Sequence, residues 1–318
     1  MDRYITSITQ AIGRTPLLRL DRLAAHYGYQ GRIFAKLEQL NPTYSKKDRI
    51  ALGMIEIAEN KGLLKPGQPV LEMTSGNTGT SVAMVCSAKN YPFICVMSTG
   101  NSIERVRMVK ALGGRVVLVD QAPNSIPGKV TGEDMKLVEA KAEQVAAETG
   151  AFYFNQFSSQ DNSISHERAA IEMWEQSDGK IHAFADFIGT GGTFMGYSRA
   201  LKRCNPQIRC YVVEPHGSAY YKGEVIQGTS HVIQGGGYAK DMAIVCRSLI
   251  DGCVTITNEE AIEATQLLAK LEGVFAGFSS GANLMAAVKQ LSGPEKNNNF
   301  GIVINDCGLK YMSTNLFC

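Results

Sequence analysis

Short apolar runs alternating with helix-period segments predict an α/β protein built on largely parallel, twisted sheets, as two domains or as one large one. Three observations lead there. The alternation repeats from residue 70 to the C-terminal region. Its helical stretches run about 10–15 residues, the length that returns the chain to start a parallel strand. The chain of 318 residues is long enough for two domains of ordinary size sharing one body, or for one large α/β domain.

The elements follow in order. Val70–Glu72 leads to the helical stretch Thr78–Lys89, and Pro92–Met97 leads to Ser102–Leu112. Arg115–Val119 leads, past a loop at Gln121–Thr131, to Asp134–Thr149. Phe152–Phe154 leads to Asn162–Glu175, and Ala183–Ile188 leads to Thr193–Arg203. Tyr211–Val213 runs into a long loop at Ser218–Met242, and Ile302–Ile304 closes the series. Strands with apolar residues at every position are buried on both faces, as in a sheet covered by helices on each side. Both long loops are rich in glycine, proline and polar residues, the composition of mobile connections.

Composition excludes several classes of function. The chain has 32 basic and 30 acidic residues, well interspersed, so no basic face for nucleic acid is expected. No run approaches the roughly 18 apolar residues of a membrane span, and Met1–Leu20 lacks the continuous apolar core of a signal peptide. A cytoplasmic protein without membrane contact is expected. The eight cysteines form no Cys-x-x-Cys pair and lie beside no histidine at zinc spacing. Free structural thiols and no metal site are expected, with Cys307, after Asp306 in a turn, the one closest to a candidate site.

Four polar segments sit where open α/β sheets bind ligands, at strand ends that lead into helices. The first, Asn41–Arg49, opens a helix with Lys46 and Lys47. A lysine attacks a carbonyl only when it has lost its proton, and a helix N-terminus and a neighbouring cation both lower its pKa. Either lysine qualifies by position, although such a pair also suits a solvated helix face. The second, Glu72–Gly79, places Thr74, Ser75, Asn77 and Thr78 around open N–H donors, a nest for a carboxylate. The third, Ile188–Thr193, offers the main-chain N–H groups of Gly189, Gly191 and Gly192 with the hydroxyls of Thr190 and Thr193, a phosphate cup at a helix start. Gly189, Gly191 and Gly196 also resemble a loosened dinucleotide fingerprint, with Glu214 as the acidic residue that such a reading needs. The lysine of the first segment tips the balance towards a phosphate cofactor bonded to protein. The fourth, Gly277–Asn283, starts another helix, and Ser279 or Ser280 serves as well for a cap as for a ligand contact.

Together these segments resemble the cysteine synthase and cystathionine β-synthase family of fold-type II pyridoxal 5'-phosphate (PLP) enzymes. The resemblance runs through Ile12–Leu17, Ala35–Glu38, Asn41-Pro42, Ser45-x-Lys-Asp-Arg49, Thr74–Gly79, Asn155–Phe157, Gly189–Thr193, Val213–Pro215 and Gly277-x-Ser-Ser-Gly281. It implies that Lys47 carries PLP and acts as the catalytic base, and that Gly189, Thr190, Gly191, Gly192 and Thr193 hold the cofactor phosphate. It further implies Asn77 at the ring hydroxyl oxygen and Ser279 at the pyridine nitrogen, with Thr74, Ser75, Thr78 and Gln156 on the substrate carboxylate. A neutral serine does not hold the ring nitrogen protonated, which favours prompt loss of a β-group over racemisation or transamination.

The implied reaction is β-replacement on a serine-type amino acid, with cysteine synthesis from O-acetylserine and sulfide placed first. Cystathionine formation and hydrogen sulfide release from cysteine are its rivals, and a non-catalytic scaffold is the reading from another class. The implied partners are a small amino acid, a sulfur nucleophile and a second copy of the chain in a homodimer. The expected domains are a smaller, mobile substrate-binding one at 44–150 and a larger PLP-binding one of 1–43 plus 151–318. Departures gather near the expected leaving group: Thr43-Tyr44 where relatives have Gly-Gly, Lys46 in place of an apolar residue, Asp241 ending the glycine-rich loop, and Asp306-Cys307-Gly308 for Asp-Ser-Gly. Tyr44 is expected to reshape the mouth of the site and Lys46 to add charge beside it. His216 and His231 lie in the expected entrance loop without a motif role.

Overall fold

The computed structural model describes residues 4–74, 76–125, 130–227 and 229–317. In chain order the principal elements are β1 (Leu17–Arg19), α1 (Asp21–Tyr27), β2 (Arg32–Leu37), α2 (Lys47–Asn60), β3 (Val70–Met73), α3 (Asn77–Lys89) and β4 (Phe93–Ser98). They continue as α4 (Ile103–Ala111), β5 (Arg115–Val119), α5 (Gly132–Thr149), β6 (Phe152–Tyr153), α6 (Asp161–Gln176), β7 (Ala183–Phe187) and α7 (Gly192–Cys204). Then come β8 (Arg209–Pro215), β9 (Ser218–Ala219), β10 (Glu224–Val225), β11 (Gly252–Ile256), α8 (Asn258–Glu272), α9 (Phe278–Leu291) and β12 (Asn299–Ile304). The chain divides into one unit of Met1–Ile12 with Lys47–Asp161 and another of Gly13–Lys46 with Asn162–Cys318. These boundaries differ from the expected 44–150 and remainder: the first dozen residues join the smaller unit, where Ile12 packs against its apolar cluster.

The smaller unit holds a four-stranded, all-parallel sheet in the order β5-β4-β3-β6. Alternate residues of a strand face opposite sides, and both sides are apolar. Val70, Phe93 and Cys95 meet Ile50, Met54 and Ile55 of α2 with Val82 of α3. Leu71, Ile94 and Val96 meet Val138, Ala142 and Val145 of α5. The Gln121–Thr131 loop is tied at both ends to Asp134, which accepts from the Ala122 N–H at 2.7 Å and completes a capping box with Thr131.

The larger unit holds a six-stranded sheet in the order β1-β2-β12-β7-β8-β11, parallel except for β1 on β2. One face buries Ile33, Ala185, Val213, Ile302 and Ile304 against α8 and α9, and the other buries Phe184, Val212 and Val303 against α6 and α7. The motif residues near its N-terminus have structural work. Glu38 accepts from Thr15 Oγ1 at 2.7 Å and from Asn41 Nδ2 at 2.9 Å, while Asn41 Oδ1 receives the Gly13 N–H at 2.8 Å. Buried Lys36 donates to Gln176 Oε1 and pairs with Glu172, each at 2.8 Å. No helix among the described residues is long and apolar enough to cross a membrane.

Candidate active site

The larger unit carries the third segment where β7 turns into α7. Gly191 sits at φ +90°, a backbone that L side chains rarely adopt, and α7 begins at the next residue. The N–H groups at such a start have no partner within the helix and point at whatever anion lies there. Around them the cup is braced. Thr190 Oγ1 accepts from Asn162 Nδ2 at 3.0 Å and from the Gly192 N–H at 3.4 Å. Thr193 Oγ1 lies 3.2 Å from His166 Nε2. A Cβ on Gly192 would collide with Asn162 Oδ1, and one on Gly189 would stand 2.7 Å from the Gly235 carbonyl oxygen. The Gly237 N–H donates to the Ile188 carbonyl at 2.9 Å, so the glycine-rich loop lies directly on the cup's main chain. His231 Nε2 lies 3.1 Å from the Gly237 carbonyl, and burial lowers its pKa. It pins that loop.

Ser279, in the first turn of α9, is partly exposed in the same unit, and its Oγ accepts from Asn305 Nδ2 at 3.0 Å.

Lys46 also belongs to this unit, and its surroundings correct the expectation of added charge at the site. It is buried, with Nζ 2.9 Å and 3.1 Å from the two oxygens of Asp186 on β7. Asn283 Nδ2 donates to Asp186 Oδ1 at 3.0 Å and to the Val303 carbonyl at 2.9 Å, and Asn283 Oδ1 receives the Phe187 N–H at 2.6 Å. A buried charge needs a partner and hydrogen bonds, and Asp186 supplies both. Tyr44, by contrast, is exposed and takes φ +61°, the left-handed region that suits the glycine expected there.

The smaller unit carries the lysine and the carboxylate nest. Lys47 is the first residue of α2, and Asp48 beside it accepts from Ser81 Oγ at 2.6 Å. The same hydroxyl lies 2.9 Å from the Asn77 carbonyl, which ties the start of α3 to the start of α2. Thr78 Oγ1 donates to Gln156 Oε1 at 2.7 Å, and Thr74 Oγ1 accepts the Gly76 N–H at 3.4 Å. Thr74, Thr78 and Gln156 are all buried, and Ser75 lies outside the described residues. Behind the nest stands Glu72, 1% exposed; burial pushes its pKa up to about 8 against hydrogen bonds from Asn155 and Gln156. Lys47, Asn77, Thr74, Thr78 and Gln156 thus share one unit, and Gly189–Thr193 and Ser279 share the other.

The family model for pyridoxal-phosphate dependent enzymes matches residues 8–306. The chain belongs to that family. The PLP enzyme is 38% identical to cysteine synthase A of Escherichia coli over 327 aligned residues, covering 100% of this chain and 97% of that protein. Its fold matches O-acetyl serine sulfhydrylase isoform 3 of Entamoeba histolytica with a TM-score of 0.91 at 32% identity, over 99% of this chain and 92% of that one. A hydrogen sulfide-producing enzyme of Fusobacterium nucleatum matches with a TM-score of 0.86 at 33% identity, over 97% of this chain and 100% of that one.

The residues present fit a phosphate-bearing aldehyde. The cup is a glycine-walled helix start with two hydroxyls, and the dinucleotide alternative loses its acidic partner. Glu214 is buried, accepts the Tyr221 N–H at 3.0 Å and has its pKa raised by burial, so it serves the loop that follows β8. Four residues around the site carry no signal in the sequence reading: Asn162 and His166 behind the cup, Asp186 beneath Lys46 and Asn305 beside Ser279. Each acts on a residue at least 26 positions away in sequence, beyond the reach of any local motif.

Proposed function

We propose that this PLP enzyme replaces the β-substituent of a serine-type amino acid, and that its principal reaction joins O-acetylserine and sulfide to give L-cysteine and acetate. The observation that carries this reading is the pair of unlike helix-start anion seats in one chain. The α7 seat is glycine and main chain, suited to a phosphate held permanently. The α3 seat is hydroxyl and amide side chains, suited to a carboxylate that arrives and leaves. When bound, PLP supplies an electron sink for the pair left at the α-carbon.

Lys47 is assigned the covalent link to the cofactor aldehyde and, once displaced by the substrate amine, the role of general base. Its Nζ takes the α-proton and later returns it, so the proton count closes within the cycle. Acetate leaves Cβ once the α-proton has been taken, and sulfide bonds there before that proton is returned, with no net oxidation. Thr74, Ser75, Thr78 and Gln156 are assigned to the substrate carboxylate, Asn77 to the ring hydroxyl oxygen and Gly189–Thr193 to the phosphate. A neutral Ser279 at the ring nitrogen leaves the electron sink shallow, which favours β-loss over α-chemistry.

The likeness to the Fusobacterium enzyme supports a second reading, in which cysteine is the donor and hydrogen sulfide the product. Offering O-acetylserine, O-phosphoserine, serine and cysteine separately, with products identified by mass, separates the two. Turnover of cysteine or serine alone would displace the first reading. The unit carrying Thr74–Thr78 is proposed to move as a body when carboxylate binds, and identical ligand-free and substrate-bound crystals would refute that motion. A homodimer in the cytoplasm completes the proposal, tested by sedimentation and by fractionation of cells.

A further inference from the structure

The hydroxyl assigned to the cofactor's ring nitrogen has a polarity that another residue sets. Asn305, directly after β12, is 5% exposed and holds three hydrogen bonds around Ser279. Its Nδ2 donates to Ser279 Oγ at 3.0 Å. Its main-chain N–H donates to Ser280 Oγ at 2.9 Å, and its carbonyl accepts the Lys46 N–H at 2.9 Å. One residue therefore holds both the serine pair that opens α9 and the residue that precedes Lys47 in the chain.

A serine hydroxyl has one proton to give and two lone pairs to offer, whereas an amide NH2 only donates. The bond from Nδ2 occupies a lone pair of Ser279 Oγ and leaves the hydroxyl proton available for a different acceptor. A pyridine nitrogen accepts when it carries no proton and donates when it does. We propose that Asn305 is a positioning residue: by donating to Ser279 it turns the Ser279 proton towards the cofactor ring and so selects the unprotonated ring nitrogen.

This inference rests on the proposed PLP seat, with Ser279 at the ring nitrogen. It adds the reason why that serine acts as a donor. Asn305 Oδ1 has no hydrogen-bond partner among the described residues although it is buried. Among the described residues it is the amide nitrogen that is engaged, at 3.0 Å from Ser279 Oγ. The reverse orientation, with Oδ1 taking the Ser279 proton, is the arrangement the experiment must exclude.

The test uses the holoenzyme loaded with PLP labelled with nitrogen-15 in the ring, observed by NMR, with the visible lysine–PLP band recorded in parallel. In the wild type the resonance should be that of a hydrogen-bonded, unprotonated pyridine. Asn305→Asp puts an acceptor against Ser279, draws its proton away, and should move the resonance upfield towards pyridinium. Asn305→Leu keeps the bulk but removes the donor. It should give part of the shift produced by Ser279→Ala, and it carries the test alone if Asn305→Asp does not fold. A wild-type resonance in every folded Asn305 variant, with the visible band intact, overturns the inference, as does a pyridinium resonance in the wild type. A wild type that takes up no PLP overturns the proposed function instead.

Discussion

Two regions of this molecule bury a carboxyl group behind a proposed anion seat, and they do it in opposite ways. Behind the α7 cup, Asp186 is paired with Lys46 and hydrogen-bonded by Asn283. Behind the α3 nest, Glu72 is hydrogen-bonded by Asn155 and Gln156, and burial dominates, so its pKa rises to about 8. The first carboxyl is matched by a countercharge, and in the second burial raises the pKa and so favours the protonated form. The seats differ in the same sense. Glycines with no room for a Cβ line the cup, whereas side chains that bond to one another build the nest. A permanent ligand suits walls that cannot move, and a substrate suits groups that can re-pair when it leaves.

The sharpest way to break the comparison is to remove the countercharge. Lys46→Met leaves Asp186 buried and unmatched, and it should cost about 3–5 kcal/mol of stability. The double variant Lys46→Met with Asp186→Leu should recover most of that loss. Chemical denaturation reads both, and a single variant as stable as the wild type would show that the pair does not carry the charge balance.

The next largest effect is in pH. Between about pH 4.5 and pH 8 the folded Glu72 retains a proton that the unfolded chain releases. Stability should therefore fall as pH rises through that window, by on the order of a few kcal/mol, and level off above it. Glu72→Gln cannot titrate and should flatten this part of the curve. Melting midpoints across the window measure it, and parallel wild-type and variant curves would refute the raised pKa.

The smallest effects separate the seats themselves. Gly192→Ala drives a methyl group into Asn162 and should weaken PLP retention by roughly tenfold to a hundredfold, the equivalent of about 1–3 kcal/mol of overpacking. Thr78→Val strips Gln156 of a donor in the nest and should raise KM for the amino acid by about tenfold while PLP retention holds. Loss of PLP in both, or in neither, would erase the distinction between the seats.

Much of this was legible in the chain. Arg115–Val119 is a strand at the expected residues, and Thr78–Lys89 and Asn162–Glu175 sit within a residue of helices α3 and α6. Their apolar periods are local and strong. The edge strands β1 and β11 escaped, because strands of three and five residues with few buried positions have little period to announce them. The expectation that Lys46 adds charge beside the site fails because its partner Asp186 lies 140 positions on, and no pattern links a buried cation to an anion so distant.

By itself, then, the sequence determined the α/β alternation, the glycine and hydroxyl segments at the helix starts, and the family to which they belong. Those properties are carried by neighbours in the chain, where backbone geometry and side-chain period act over a few residues. Only the tertiary structure decided that Lys46 is paired with Asp186, that burial raises the pKa of Glu72, and that Asn305 Nδ2 reaches Ser279 Oγ. Each of these depends on burial and on a hydrogen bond to a residue that folding, rather than sequence order, brings near.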